Sequence, residues 1–295
     1  MKNGLGMDKN YRIVKVLNHN AVIALLVQEN QDVLILESGI GFGRKVSEYI
    51  EPKPESRIYS LEESTERGNA LSLVNDADPV CIEAADQILD EAEKVFGKVD
   101  RNILFTMADH LTFAIKRQRE HEELTNSLNT DIRILFHTEY KVAEKAVPIL
   151  EEKAGVTISD DEIGLLALHI HSAIVSESVS QSLQTAQIVR ECIETLEEKL
   201  GKKIDVMSIA YNRMMNHVRY MIPRILTDEP LKLNLNEYMK MHYPESFQIA
   251  EGICQDIEKL LNHKYRPAEI GYLAMHIERV FGNEDDEETA GLVIE

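Results

Sequence analysis

The chain has no tryptophan, few aromatic residues and only three cysteines, Cys81, Cys192 and Cys254, among its 295 residues. An odd number of cysteines with no Cys-x-x-Cys pair excludes a zinc ribbon and a disulfide frame; they read as buried thiols in a reducing cytoplasm. No run of 18 or more apolar residues occurs, which excludes a simple membrane span. The opening Met1-Lys2-Asn3-Gly4-Leu5-Gly6 lacks the apolar stretch of a secretory signal, so a cytoplasmic location is expected. The glycines at 39, 41 and 43 neither end in Gly-Lys-Ser/Thr nor fit Gly-x-Gly-x-x-Gly, which excludes a phosphate loop and a dinucleotide fingerprint. Positive charge is scarce too: the net −19 argues against the whole chain binding a polyanion. The deficit is uneven. Residues 1–63 carry 8 basic and 9 acidic groups and the remainder 24 and 42, so the front segment is chemically separate.

That front segment reads as β-structure. Residues 11–17 alternate and are rich in β-branched side chains, Asn18-His19-Asn20 is turn chemistry, residues 21–27 form a second apolar run, residues 29–32 a second turn, and residues 33–36 a third run. Strand-length runs joined by short turns predict a small antiparallel sheet, too small to be robust as a monomer and expected to pair with another copy. Two readings stay open for Ser38-Gly39-Ile40-Gly41-Phe42-Gly43-Arg44-Lys45: a wide hairpin turn, or an exposed aromatic with cations beside it, suited to stacking on an unpaired base. Pro52, Pro54 and a polar run make residues 51–70 read as a linker.

Beyond residue 70 the pattern is helical and duplicated. Glu162-Ile163-Gly164-Leu165-Leu166-Ala167-Leu168-His169-Ile170 returns 107 residues later as Glu269-Ile270-Gly271-Tyr272-Leu273-Ala274-Met275-His276-Ile277. The same offset carries His110 to His217, and Tyr140, Val142, Ala143 and Glu144 to Phe247, Ile249, Ala250 and Glu251. Three segments in one ungapped register imply two copies of a helical module, each presenting a histidine pair 59 residues apart in sequence. In the first copy, Asp78-Pro79 opens a helix with Ile82, Ala85, Ile88, Leu89 and Ala92 on one face. A second helix covers residues 102–118, and a third, residues 129–153, is long enough to break at Pro148. Ser159-Asp160-Asp161-Glu162 is a capping-box pattern ahead of the His169 helix; His169 is expected at the edge of its apolar face. In the second copy Pro267 and Glu269 serve that start instead. Residues 176–182 read as a short linker between modules, and residues 283–290 as a solvated acidic tail. The expected domains are therefore residues 1–60, 70–177 and 183–290.

A single histidine on an apolar face is usually a satisfied core residue. A pair repeated in two modules admits three further readings. A metal site lacks ligands, since two imidazoles are too few and Asp109 beside His110 becomes Asn216 beside His217. Acid–base or nucleophilic catalysis lacks a recurring Ser, Cys or Lys partner. Phosphoryl acceptance needs only the neutral ring nitrogen, and its product places up to two negative charges on an already acidic module. His19, His137, His171, His242 and His263 are read as structural or surface residues.

At these positions the chain resembles the sugar-responsive transcriptional antiterminators of the BglG/SacY/LicT type. In the front segment the resemblance rests on Lys15-Val16-Leu17-Asn18-His19-Asn20 and on residues 39–45. In the modules it rests on Asp109-His110-Leu111-Thr112-Phe113-Ala114-Ile115-Lys116-Arg117 and Ala167-Leu168-His169-Ile170-His171-Ser172-Ala173. Phe113–Gln118 and His169-Ile170-His171 are most similar to the glucose-permease (GlcT-type) branch. The resemblance implies a small antiparallel all-β RNA-binding domain followed by two homologous all-α regulatory domains. It implies a homodimer gripping a leader-mRNA hairpin against an overlapping terminator, with no catalytic residues, metal or cofactor. Lys15, Asn20, Ser38, Gly39, Phe42 and Arg44 match its RNA-contacting positions. His110, His169, His217 and His276 match its phosphorylated histidines, served by a sugar-specific permease of the phosphotransferase system (PTS) and by the phosphocarrier HPr. Glu37-Ser38 departs from a glycine followed by a basic residue, and each lost cation lowers the salt slope of RNA binding by about one. Other readings stay open: Phe42 packing inside a sheet dimer, Lys15 and Arg12 as plain edge residues, and the whole chain as a phosphorylation-sensing scaffold that binds a protein and no RNA.

Overall fold

A computed structural model describes residues 10–281, apart from 63, 66, 67, 176, 202, 206 and 207. The expected acidic tail at 283–290 lies outside the described residues, as does Ser176 of the expected inter-module linker. The described residues form two compact units, one within residues 1–129 and 136–179 and one within residues 130–135 and 180–295.

The first unit begins with an antiparallel sheet. Its strands are β1 (Tyr11–Val16), β2 (Ala21–Leu26), β3 (Gln31–Leu36), β4 (Tyr49–Ile50) and β5 (Arg57–Ser60), ordered β4-β1-β2-β3-β5. Central β2 is almost wholly buried, and Tyr11, Ile13, Val22, Ala24, Val33, Ile35, Ile40 and Ile50 build one core against it. The register slips by one between Ile13 and Lys15. Strand β5 corrects the linker reading of residues 51–70. Arg57–Ser60 pairs with β3 through Leu36↔Arg57 to Val33↔Ser60 and buries Tyr59. An edge strand of four residues needs few apolar side chains, so its alternation was hidden behind Pro52, Pro54 and the polar run. A two-stranded hairpin, β6 (Ser64–Thr65) with β7 (Gly68–Asn69), leads into the helices.

Helices α1 (Ala70–Asp76), α2 (Pro79–Phe96), α3 (Ile103–Glu120), α4 (Asn129–Leu135), α5 (His137–Ala143), α6 (Ala146–Ala154) and α7 (Asp160–Ile174) come next. The expected caps form: the side chains of Asp78 and Ser159 accept from the amides of Val80 and Glu162. The helix expected over residues 129–153 is three helices, broken at Phe136 and at residues 144–145. Pro148 sits in the first turn of α6, where its missing N–H costs nothing. In the first unit α2 packs on α3, α5 and α6, and α7 packs on α3 and α5.

The second unit repeats the pattern with α8 (Val179–Leu200), α9 (Ile209–Thr227), α10 (Asn236–His242), α11 (Pro244–Leu261) and α12 (Ala268–Phe281), with α12 against α9, α10 and α11. Here α11 is continuous where the first copy splits into α5 and α6. Residues 130–135 fold with this unit, where Arg190 pairs with Asp131 at 3.4 Å and Arg219 donates to the Leu135 carbonyl at 2.8 Å. Cys81, Cys192 and Cys254 are all buried free thiols. Burial pushes Cys81 up to about 11 and Cys192 to about 12. Among the described residues no single helix is long and apolar enough to cross a membrane.

Candidate RNA-facing edge and paired histidine sites

Helices α3 and α7 bring His110 and His169 together. The two rings lie 5.4 Å apart at 42°, and the side chains are only 4% and 2% exposed. His169 is thus inside the packing rather than at its edge, because α7 is buried on nearly every face. Its Nδ1 is 3.4 Å from Thr106 Oγ1, and it borders a cavity of about 930 Å³ that Lys98, Arg101, Asn102 and Ser172 also line. His110 Nε2 stands 3.1 Å from Glu162 Oε2, while Arg117 holds Glu162 Oε1 through Nε and Nη2, each at 2.8 Å. Burial drives the Glu162 carboxyl upward, but His110 and Arg117 outweigh it, so its pKa falls below the usual carboxylate value.

The second module builds the same constellation from α9 and α12. The His217 and His276 rings stack 4.6 Å apart at 26°, and Tyr272 stacks on His217 at 5.9 Å and 12°. Arg224 grips Glu269 with two parallel bonds of 3.0 and 2.9 Å, leaving Glu269 Oε2 4.0 Å from His217 Nε2. His217 Nε2 and His276 Nδ1 are buried without a hydrogen-bond partner among the described residues. Burial, then His276 and Arg224, hold His217 down at about 3. Burial, then Arg279 and Arg213, hold His276 at about 4. Both rings are neutral at pH 7, the form with a nucleophilic lone pair.

Sequence reasoning found the four histidines and missed their partners. In the sequence Glu162 shows only its capping-box role. Its amide does take the Ser159 cap, but its carboxylate faces Arg117 and His110. The 107-residue offset that pairs the histidines also carries Arg117 to Arg224, Glu162 to Glu269, Gly164 to Gly271 and Asn129 to Asn236. That signal would have located the arginine–glutamate pairs. Among the described residues no three His, Cys, Asp or Glu side chains gather as a metal-binding group. His171, set aside from sequence, is buried and lies 2.9 Å from Glu139 Oε1.

On the sheet, the 18–20 turn and the glycine-rich turn are bonded together. Asn20 Oδ1 accepts from Gly39 N at 3.0 Å, Asn20 O accepts from Glu37 N, and His19 O accepts from Gly41 N at 2.9 Å. A Cβ on Gly41 would lie 2.1 Å from the Asn18 carbonyl, so only glycine fits, and Gly39 takes φ +81°. Asn20, Ser38 and Gly39 thus form one cluster. Phe42 stands 70% exposed with the His19 ring edge-on at 5.2 Å, and Arg44 is exposed beside Glu48. Lys15 lies apart from them, its Nζ donating to Asn75 Oδ1 on α1 at 2.8 Å. Glu37 is compensated where it stands: Lys53 N and Ser56 Oγ donate to it and Lys53 Nζ pairs with it at 3.3 Å.

A small sheet with an open aromatic, ahead of two copies of a module built around facing histidines, defines a regulator with a reading head and duplicated sensors. The CAT RNA binding domain family matches residues 11–68, and the PRD domain family matches residues 83–173 and 190–280. The GlcA/glcB genes antiterminator of Staphylococcus carnosus is 30% identical over 91% of this chain and 95% of its own length. The PtsGHI operon antiterminator of Bacillus subtilis is 28% identical over 93% and 98%. A crystal structure of GlcT CAT-PRDI is 29% identical, covers 56% of this chain and 99% of its own, and has a TM-score of 0.47. The chain belongs to the family of transcriptional antiterminators that join a CAT RNA-binding domain to two PRD domains. The RNA-binding match to residues 11–68 favours the antiterminator over the RNA-free scaffold.

Proposed function

We propose that the protein is a PTS-controlled antiterminator in which His110, His169, His217 and His276 accept phosphoryl groups and the sheet reads out the result on a leader-RNA hairpin. The observation that supports this most is the repeated histidine pair, set in each module beside a buried glutamate held by an arginine. A ring nitrogen attacking phosphorus would release the donor protein and leave up to two negative charges in the pocket. In the first module they would lie against Glu162 and compete for Arg117, so the packing of α3 against α7 could not stay as it is.

On this reading, permease of the sugar PTS and the phosphocarrier HPr are the donors, and the protein has no enzymatic activity of its own. It works in the cytoplasm, with functional domains at residues 1–60, 70–177 and 183–290. With sugar present the first module is unmodified, and a homodimer sets two sheets across one hairpin through Lys15, Asn20, Ser38, Gly39, Phe42 and Arg44. Phosphate on His110 or His169 splits the dimer by like-charge repulsion. A gel shift with the hairpin from the ptsGHI leader, the operon named for the B. subtilis relative, tests the RNA half. Phe42→Ala should weaken binding about tenfold through lost stacking; equal binding by the variant contradicts the assigned contact. His110→Asp should give the inactive state in an antitermination reporter, and constitutive activity would remove His110 from its role.

A further inference from the structure

Within the first unit, the helical module reaches into the same edge of the sheet. Glu83, in the first two turns of α2, accepts from Asn18 Nδ2 at 2.7 Å and from Asn20 Nδ2 at 3.2 Å, and Lys153 Nζ on α6 stands 3.5 Å from it. A carboxylate taking two amide donors and a lysine is in the surroundings that a phosphate oxygen would find. Both ends of the Asn20 amide are engaged within the protein: its Oδ1 takes Gly39 N, and its Nδ2 donates to Glu83. Lys15 is likewise engaged, by Asn75 of α1. Beside them lies a cleft of about 500 Å³ between Asn20, Ser38 and α2, lined by Glu55, Asp90 and Glu91 and by Arg57, Lys94 and Lys153. Phe42, by contrast, is open.

A second set of contacts holds the sheet to the module through β5, across this cleft. Arg57 pairs with Asp86 and Asp90, the Tyr59 hydroxyl donates to Asp86, and Arg101 bonds Tyr59 as well as Asp86, Asp90 and Glu93. The interface thus has a dense anchor on β5 and a sparse latch at the 18–20 turn.

We infer that Glu83, seated against Asn18 and Asn20, together with Asn75 on Lys15, is an intramolecular plug: the first helical module occupies the sheet's RNA-contacting donors in the manner of a phosphate, and RNA must displace it to bind. The inference rests on the assignment of this edge as the RNA contact. The plug and RNA exclude each other, so the plugged population lowers apparent RNA affinity in proportion. If nine-tenths of the chain is plugged, removing the latch tightens binding about tenfold.

The test uses the full chain and the ptsGHI leader hairpin, with fluorescence anisotropy at fixed salt. Glu83→Ala should bind about tenfold tighter than the unaltered chain, and Asn75→Ala, on the exposed face of α1, should move the same way. In the protein alone, Glu83→Ala should raise amide exchange at residues 19–20 and 39–41 while leaving residues 57–60 unchanged. Tighter binding with faster exchange at the turn supports the plug. Equal binding by all three chains overturns it and leaves the RNA assignment standing. Failure of all three to bind the hairpin removes the RNA assignment and the plug with it. If Glu83→Ala does not fold, Asn75→Ala binding no tighter than the unaltered chain overturns the plug.

Discussion

His217 and His276 stack in a pocket that gives neither of the two buried nitrogens, Nε2 and Nδ1 respectively, a hydrogen-bond partner among the described residues. Their folded pKa values, about 3 and about 4, lie below the 6.5 of an exposed imidazole. The unfolded chain therefore binds protons that the folded second unit refuses. The stability this lends is complete above pH 6.5 and is lost as pH falls through about 4 for His276 and about 3 for His217. The unfolding midpoint of this unit should drop between pH 7 and pH 5, and His217→Asn should flatten that drop; parallel profiles would contradict the burial of a neutral ring. The partner residues carry a second expectation. Arg224 is the main compensation for buried Glu269, so Arg224→Ala should destabilise the second unit by about 3 kcal/mol, measured by denaturant unfolding. Adding Glu269→Gln to it should recover much of the loss, since no unpaired buried charge then remains.

The elements that hold these residues were legible to different degrees. Strands β1 to β3 and helices α2, α3 and α7 could be read from alternation, capping residues and apolar faces, since each buries a full stripe or face. Strand β5 could not, because its partner β3 decides its pairing and Arg57–Ser60 carries little pattern of its own. The breaks between α4, α5 and α6 were hidden because Phe136 and Glu144 carry no breaker chemistry, whereas Pro148, which does, sits harmlessly in a first turn. The histidines were visible through the repeat; the depth of His169 was not, since burial around α7 depends on three neighbouring helices. The duplicated glycines of α7 and α12 show how equal positions can differ in stringency. A Cβ at Gly271 would meet the backbone of Leu235 and Asn236, at 2.8 and 2.7 Å, whereas at Gly164 it would meet the Asn129 side chain. Gly271→Ala should therefore cost about 2 kcal/mol or more, and Gly164→Ala less, because a side chain can turn aside and a backbone cannot. Equal melting shifts for the two variants would count against this packing.

Across the molecule, charge is divided in the way a switch requires. The modules hold nearly all of the net negative charge, while the front sheet is close to neutral, with Glu37 compensated by Lys53. Each added phosphate therefore lands where repulsion is already high, and the sheet remains able to meet RNA once Glu83 withdraws. The two histidine pockets do not start from the same state. In the first, the glutamate lies close to His110; in the second, Arg224 holds it away from His217. The two modules should thus differ in how readily they take phosphate. The most direct measurement is incubation of the purified full chain with phosphoenolpyruvate and the PTS phosphotransfer proteins, with mass mapping and hairpin binding then read on the same sample. The account predicts acid-labile phosphate on His110 or His169 and a matching loss of hairpin binding. A chain that takes no acid-labile label, or that is labelled on these histidines and binds the hairpin unchanged, would contradict it.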